Sequence, residues 1–264
     1  MLNPAMASSD SPNKRPIQAL LFDKDGTLID FDLTWGRASY AVMRTMAQGD
    51  PARLAALVAI NHYDVAQQRI RETSPLLAGS SALYGPLWAE ALDRPAGPAL
   101  YGEMDRLFAQ EGLANLTALP DVEATLRQWA GAGYRLGIAT NDNERSARLQ
   151  LDALGWSDLF SFIAGYDSGF GSKPDPGMVT AFADATGLEA NQIAMIGDSH
   201  LDLFAAKAAG TLAVCVLTGP SGSALRETLA PHADLVIDAL GDLDQFLMDA
   251  HPARPISPHG KGNA

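Results

Sequence analysis

Leu20-Leu21-Phe22-Asp23-Lys24-Asp25-Gly26-Thr27-Leu28 is the stretch on which the reading of this chain turns. A short apolar run, Ala19 to Phe22, stops at a carboxylate. Its length suits a buried strand and is too short for a helix. Two aspartates then sit two apart, followed at once by Gly and Thr. Gly26 allows a sharp bend just beyond the pair. With Asp25 turned back toward Asp23, two acidic groups would meet at a strand end. That is costly unless a cation or a reaction uses them. A plain strand followed by an Asp-Gly turn would look the same over these residues. The rest of the chain has to decide.

Beyond this stretch, Ile29 to Trp35 mixes acids and aromatics and reads as a linker. From Thr34 to about Leu113 the pattern is helical, rich in Ala and without β-branched runs. Breaks fall at Gly49-Asp50-Pro51, Thr73-Ser74-Pro75, Gly79-Ser80 and Asp93 to Pro98. Pro51 after Asp50 is a good helix start. About four helices with no strand between them predict a small bundle.

Near Ala118 the pattern changes to helices alternating with short apolar runs. Val122, Leu126 and Trp129 mark a helix. Tyr134 to Ala139 reads as a strand ending at Thr140-Asn141. A helix follows from Asn143 to Leu154, then a strand from Phe160 to Ala164. A Gly-rich loop leads to Lys173-Pro174-Asp175-Pro176 and another helix. Gln192 to Ile196 is a strand ending at Gly197-Asp198. Leu201 to Ala209 is a helix, Leu212 to Leu217 a strand, Ala233 to Ile237 a last short strand, and Leu240 to Met248 a helix. Such alternation predicts an α/β fold, a doubly wound and mainly parallel sheet covered on both faces. The helical stretch is inserted after strand one. The expected division is a core of 17–29 and 118–250 with an all-helical cap of 30–117. Segments 1–16 and 251–264 are polar or low in apolar residues and read as disordered.

The chain has 264 residues, 47% of them hydrophobic, enough for a sizeable core. Net charge is −12 and the pI about 4.7. No basic run appears, so a nucleic-acid partner is not expected. An anionic substrate would need local cations against this field. No apolar run reaches bilayer length and no targeting segment is visible, so no membrane partner is expected. The single cysteine, Cys215, lies in an apolar run and fits a reducing, cytoplasmic setting.

In open α/β sheets the site lies beyond the carboxyl ends of the strands. Asp23, Asp25, Thr140 and Asp198 all fall there, and Lys173 precedes a helix. This set, in this order, resembles the haloacid dehalogenase-like (HAD) phosphohydrolases, whose first motif reads DxDGT. The resemblance covers roughly 17–29 and 118–246. It implies a HAD-like Rossmannoid core with a helical cap that closes the site and selects the substrate.

The resemblance further implies that Asp23 is the nucleophile, forming an aspartyl-phosphate, and that Asp25 is the general acid and base. Mg2+ would be held by the side chains of Asp23 and Asp198 and the backbone carbonyl of Asp25. Thr140, Asn141 and Lys173 would hold phosphoryl oxygens. Asp202 is expected to support the metal site indirectly or through water, and His200 reads as surface. Cap candidates are Asp30, Asp32 and Trp35 near the entry, and Arg37, His62, Arg69 and Arg71 within.

The subgroup resembled is that of the phosphoglycolate phosphatases. Its neighbours include pyrophosphatases, nucleotidases, sugar-phosphate phosphatases and a sugar-phosphate mutase. The implied partner is a small phosphorylated metabolite, and the implied assembly a monomer or homodimer. A phosphoacceptor signalling module uses similar groups, but places its acidic pair on the first strand and its acceptor on a later one. A non-catalytic HAD-fold scaffold is disfavoured by the intact set of acids.

Overall fold

The computed structural model describes residues 16–250 except 72, 79, 80 and 221. The readings of the segment before Pro16 and of 251–264 as disordered, and the break at Gly79-Ser80, fall outside the described residues.

β1 (Ala19–Phe22) has no exposed residue. It lies between β4 (Arg135–Ala139) and β6 (Ile193–Gly197), parallel to both, with Ala19 opposite Arg135 and Ile193. β5 (Phe160–Ala164), β7 (Leu212–Val216) and β8 (Leu235–Ile237) complete a parallel sheet in the order β5-β4-β1-β6-β7-β8. Side chains alternate across a strand, so β1 serves two cores. Leu20 and Phe22 pack with α5 (Val122–Gly131), α6 (Glu144–Ala153) and α10 (Leu243–Ala250). Ala19 and Leu21 pack with α7 (Gly177–Thr186) and α8 (His200–Ala209). Both faces being covered explains why β1 reads as an uninterrupted apolar run.

A third core, separate from these two, belongs to residues 42–107. Val42, Met43 and Met46 of α1 (Arg37–Ala47) meet Leu57 of α2 (Pro51–Ile60), Trp88 of α3 (Ser81–Leu92) and Met104 of α4 (Pro98–Ala114). Asp50 caps α2 by accepting from the N–H groups of Ala52 and Arg53, with Pro51 in the first turn. The chain enters and leaves this layer side by side. Asp30 N–H donates to Thr117 O (2.9 Å), and Leu119 N–H to Leu28 O (3.0 Å).

Two details here correct the sequence reading. The expected linker at 29–35 contains a π-helical turn, Asp32–Gly36, that runs directly into α1. Asp30 starts it, its side chain accepting from Leu33 N–H (2.9 Å). The insert is also not purely helical. β2 (Tyr63–Asp64) and β3 (Arg69–Ile70) form a small antiparallel hairpin. Two-residue strands carry no period to read, and this hairpin is seated by tertiary contact: a Cβ at Gly36 would run into Gln68 O.

Trp129 joins three elements. Its ring stacks on Phe22 at 5.9 Å, and its Nε1–H donates to Asp244 Oδ1 at 2.6 Å. Trp129→Ala is expected to lower unfolding free energy by about 3–5 kcal/mol, as for other large buried aromatics. Trp129→Phe, which keeps a ring on Phe22, is expected to lose less than half of that. Urea unfolding followed by circular dichroism checks both. Equal losses would mean that the bond to Asp244, and not ring packing, dominates.

Candidate active site

The carboxyl ends of β1, β4 and β6 deliver Asp23, Thr140 and Asp198 to one edge of the sheet. Asp23 N–H still follows the ladder, donating to Ile196 O at 2.8 Å, so the backbone there is held as rigidly as the strand. Thr140 N–H likewise donates to Ala164 O (3.0 Å). Gly26 turns the chain just beyond, at φ +81°, and a Cβ there would meet the Asp198 carboxylate at 2.6 Å. Glycine is therefore required both for the turn and for the approach of Asp198.

Lys173, from the loop before α7, reaches this edge and is 4% exposed. Its Nζ donates to Asp23 Oδ1 and Asp202 Oδ1, each at 2.6 Å. Burial alone would lower the Lys173 pKa, but the Asp202 and Asp23 carboxylates outweigh it and raise it. Asn141 fixes the loop that carries this lysine. Its side-chain amide donates to Lys173 O and accepts from Lys173 N–H, both at 2.9 Å. Asp202 caps its own helix, accepting at Oδ2 from Ser199 N–H (3.1 Å) and Ser199 Oγ–H (2.6 Å).

Asp23, Asp198 and Asp202 each offer a carboxylate oxygen within 4.8 Å of the others. Burial pushes the Asp23 pKa up to about 7; Lys173 opposes the rise, and Asp202 and Asp25 add to it. Asp198 is also held well above the ordinary range, by burial first and then by Asp23 and Asp202. One ammonium faces three carboxylates, and the hard oxygen donors left over suit a divalent metal ion.

The Asp25 side chain lies outside that triad, and the expectation gave Asp25 to the metal only through its backbone carbonyl. Oδ2 accepts from Lys24 Nζ and Oδ1 from Trp35 Nε1–H, both at 2.6 Å. Lys24, between the two aspartates, is fully buried. It also donates to Gln150 Oε1 (2.6 Å), lies 3.5 Å from Asp142 Oδ2, and sits 5.6 Å from the Trp35 ring centre. Burial would lower its pKa, yet Asp25 and Asp142 raise it. An isolated lysine in a short motif gives no sign of this, because its partners come from α6 and from the turn after β4.

The edge opens into a cavity of about 750 Å³ roofed by the 31–109 layer. Asp23, Asp25, Thr140, Asn141, Lys173 and Asp198 all line it. Of the expected contributors from the insert, Trp35 lines it as well. Arg37, His62, Arg69 and Arg71 do not. Arg37 is exposed, His62 is exposed and bonds Thr73 (2.7 Å), and Arg71 pairs with Asp64 (2.9 Å). Arg69 donates to Pro220 O at 2.8 Å and lies 3.9 Å from Asp32. The roof consists instead of residues such as Phe31, Tyr84 and Phe108, which resemble ordinary helix core in sequence. His200, read as surface, is half-buried and lines the cavity, its ring packed on Phe204 and His232. It opens α8, and the first turn of a helix that follows a strand end lies at the site.

Comparison with known proteins agrees with this geometry. Residues 17–210 match the haloacid dehalogenase-like hydrolase family. A phosphoglycolate phosphatase from Rhodospirillum rubrum is 32% identical over 231 residues, covering 87% of this chain and 90% of that protein. One from Yersinia pestis is 30% identical, covering 87% and 92%. Among solved structures, a predicted phosphoglycolate phosphatase from Haemophilus somnus superposes with a TM-score of 0.64 at 21% identity, over 87% of this chain and 97% of that one. CbbY from Rhodobacter sphaeroides, solved in complex with phosphate, gives 0.61 at 18%, over 86% and 96%. These two likenesses are of fold. With the family matched over most of its length, and with relatives at 30% identity or more nearly end to end, the chain belongs to the haloacid dehalogenase-like hydrolases.

Proposed function

We propose that this hydrolase cleaves the phosphate monoester of a small metabolite through an aspartyl-phosphate on Asp23, with Mg2+ as its metal. The observation that carries the reading is the cluster of Asp23, Lys173, Asp198 and Asp202, all but Asp198 buried, at the sheet edge that opens into the cavity. The relatives' names make phosphoglycolate the first substrate to try. Residues 30–117 act as the cap on a core of 17–29 and 118–250.

Asp23 and Asp198 would hold Mg2+ with their carboxylates and Asp25 with its backbone carbonyl. Bound there, the ion would supply positive charge that offsets the repulsion of a carboxylate nucleophile by an anionic phosphate. Lys173 holds one oxygen of Asp23, which leaves the other to attack phosphorus. As the new bond forms, the bond from phosphorus to the ester oxygen breaks, and that oxygen takes a proton from Asp25. A water then attacks the phosphorus and gives its proton to Asp25. Phosphate leaves and the Asp23 carboxylate is restored. Thr140 and Lys173 donate to the phosphoryl oxygens as charge develops there. Asp202 orients Lys173, and Asn141 fixes its backbone. Trp35 and Lys24 aim the Asp25 carboxylate, and Trp35 belongs to the turn that begins the cap. Closure of the cap and placement of the proton carrier are thereby linked.

The two aspartates separate in one experiment. Asp23→Asn should form no phosphoenzyme with acetyl phosphate and Mg2+. Asp25→Asn lacks proton transfer, which contributes about 10²- to 10⁴-fold, so cleavage of alkyl phosphates should fall by that order. Acetyl phosphate needs little help to leave, and the second step lacks its base. The phosphorylated form should accumulate and be seen by intact mass after an acid quench. The reverse pattern would exchange the two roles.

Metal binding has a readout in stability. In metal-free protein the raised pKa of Asp23 means that the folded form binds an extra proton between about pH 4 and 7. Stability contributed by that proton is lost as pH rises through this window. Asp198→Asn removes one of the repelling charges. In EDTA at about pH 7.5 it should melt higher than wild type, by roughly 2–4 °C per kcal/mol of relieved repulsion. At about pH 4, where the native carboxyl is protonated, the gap should close. Mg2+ should raise the wild-type melting temperature and abolish the variant's advantage. A variant that melts lower than wild type in EDTA at the higher pH would contradict the assignment.

A further inference from the structure

Phosphoglycolate carries a carboxylate one carbon from its ester oxygen, and a charged donor in the lining would favour that second anion. Among the described residues lining the cavity there are six aspartates and one lysine. That lysine, Lys173, is taken by Asp23 and Asp202. Lys24 is buried behind the wall on Asp25 and Gln150. The arginines of the cap lie outside the lining, and Arg69 at the rim is held by Pro220 O and Asp32. Beyond Asp142, which lies 3.5 Å from Lys24 at the reacting end, the charged lining residues are Asp105 on α4 and Asp167, and His200 lines the cavity with its Nε2 on Thr228 O at 3.3 Å. Asp105 is exposed, and it reinforces the effect of burial in keeping the phenols of Tyr84 and Tyr166 protonated. A carboxylate placed beside Asp105 and Asp167 would meet like charge.

The same wall suits another chemistry. Phe31, Trp35, Tyr84 and Phe108 line the roof, with Ile70 and Leu76 beside them. Tyr84 and Phe108 meet edge to face at 6.2 Å and continue into the buried Trp88, so the surface they present is backed by a packed core. Ligand sites of this size are mostly apolar and carry few polar groups. A two-carbon acid makes no use of that apolar wall.

We infer that the preferred substrate is the phosphate monoester of an uncharged alcohol with an apolar or aromatic body, seated against Phe31, Trp35, Tyr84 and Phe108, and not a short phosphorylated acid. The inference rests on the phosphatase reading above and names its substrate class. Asp105 and the Tyr84 hydroxyl then accept from and donate to polar groups on that body.

Two primary alkyl esters with similar reacting ends test it: 2-phenylethyl phosphate and phosphoglycolate, each with Mg2+. The wild-type enzyme is expected to favour the phenyl ester in kcat/KM by about tenfold or more, the range that one well-filled apolar pocket supplies. Phe108→Ala should lower that ratio. Asp105→Lys, at an exposed position that the fold tolerates, should lower it by raising kcat/KM for phosphoglycolate. Equal or better use of phosphoglycolate by the wild-type enzyme would overturn the inference and leave the phosphatase reading intact. No phosphate release from either ester, nor from p-nitrophenyl phosphate, would overturn the phosphatase reading and this inference with it.

Discussion

The structure of the site depends on one buried ammonium. Lys173 lies between Asp23 and Asp202 in a chain of net charge −12, where carboxylates at close quarters repel. Without it, three aspartates within 4.8 Å of one another would be uncompensated among the described groups. Its position is specified twice. Asn141, at the end of β4, grips its backbone from both sides, and Asp202, capping α8, holds its side chain. Two strand ends and a helix start are thus tied at one point, so the sheet edge and the site are stabilised by the same contacts. Even so, the compensation is partial. Asp23 and Asp198 still have raised pKa values, and that residual electrostatic cost makes the edge receptive to a cation.

A second ammonium performs a different task one residue from the first aspartate. Lys24 points away from the triad into the core, where Asp25, Asp142 and Gln150 surround it. Successive residues of a strand face opposite sides, and the chain keeps this alternation just past β1. Asp23 and Lys24 are therefore sent to different environments although they are neighbours. Asp25 is held at both oxygens, by Lys24 from the core and by Trp35 from the inserted layer. A carboxylate anchored across two packed units is sensitive to their relative position.

The inserted layer contributes shape more than charge. Its basic residues lie on its outer surface or at the rim, while its cavity face is largely aromatic and aliphatic, with Asp105 as its charged member. In an acidic protein this leaves Lys173 as the single lining lysine among the described residues. The acidic cluster with Lys173 at the sheet edge is thus chemically distinct from the apolar part of the roof, an arrangement that would suit a ligand with one anionic and one apolar end.

The α/β core and the positions of the reacting groups were legible in the sequence because their causes are local. A parallel strand buried on both faces must be a short apolar run, as β1 is, and polar residues that end such runs must collect at one edge. Asp23, Thr140 and Asp198 could be placed from that rule, Lys173 only from the family resemblance, and Asp50 and Pro51 at the start of α2 from helix-start chemistry. What only the tertiary structure decided is the set of contacts between elements far apart in the chain. Nothing near Lys24 foretells Gln150, and nothing near Asp25 shows that its carboxylate turns to Trp35. The hairpin of β2 and β3 is too short for a period, and Gly36 is the point that accommodates it. The face each helix of the insert turns to the cavity follows from how four helices pack. In a bundle, core and lining residues share one apolar pattern, so Phe108 over the site and Met104 within the bundle read alike until the helices are in place.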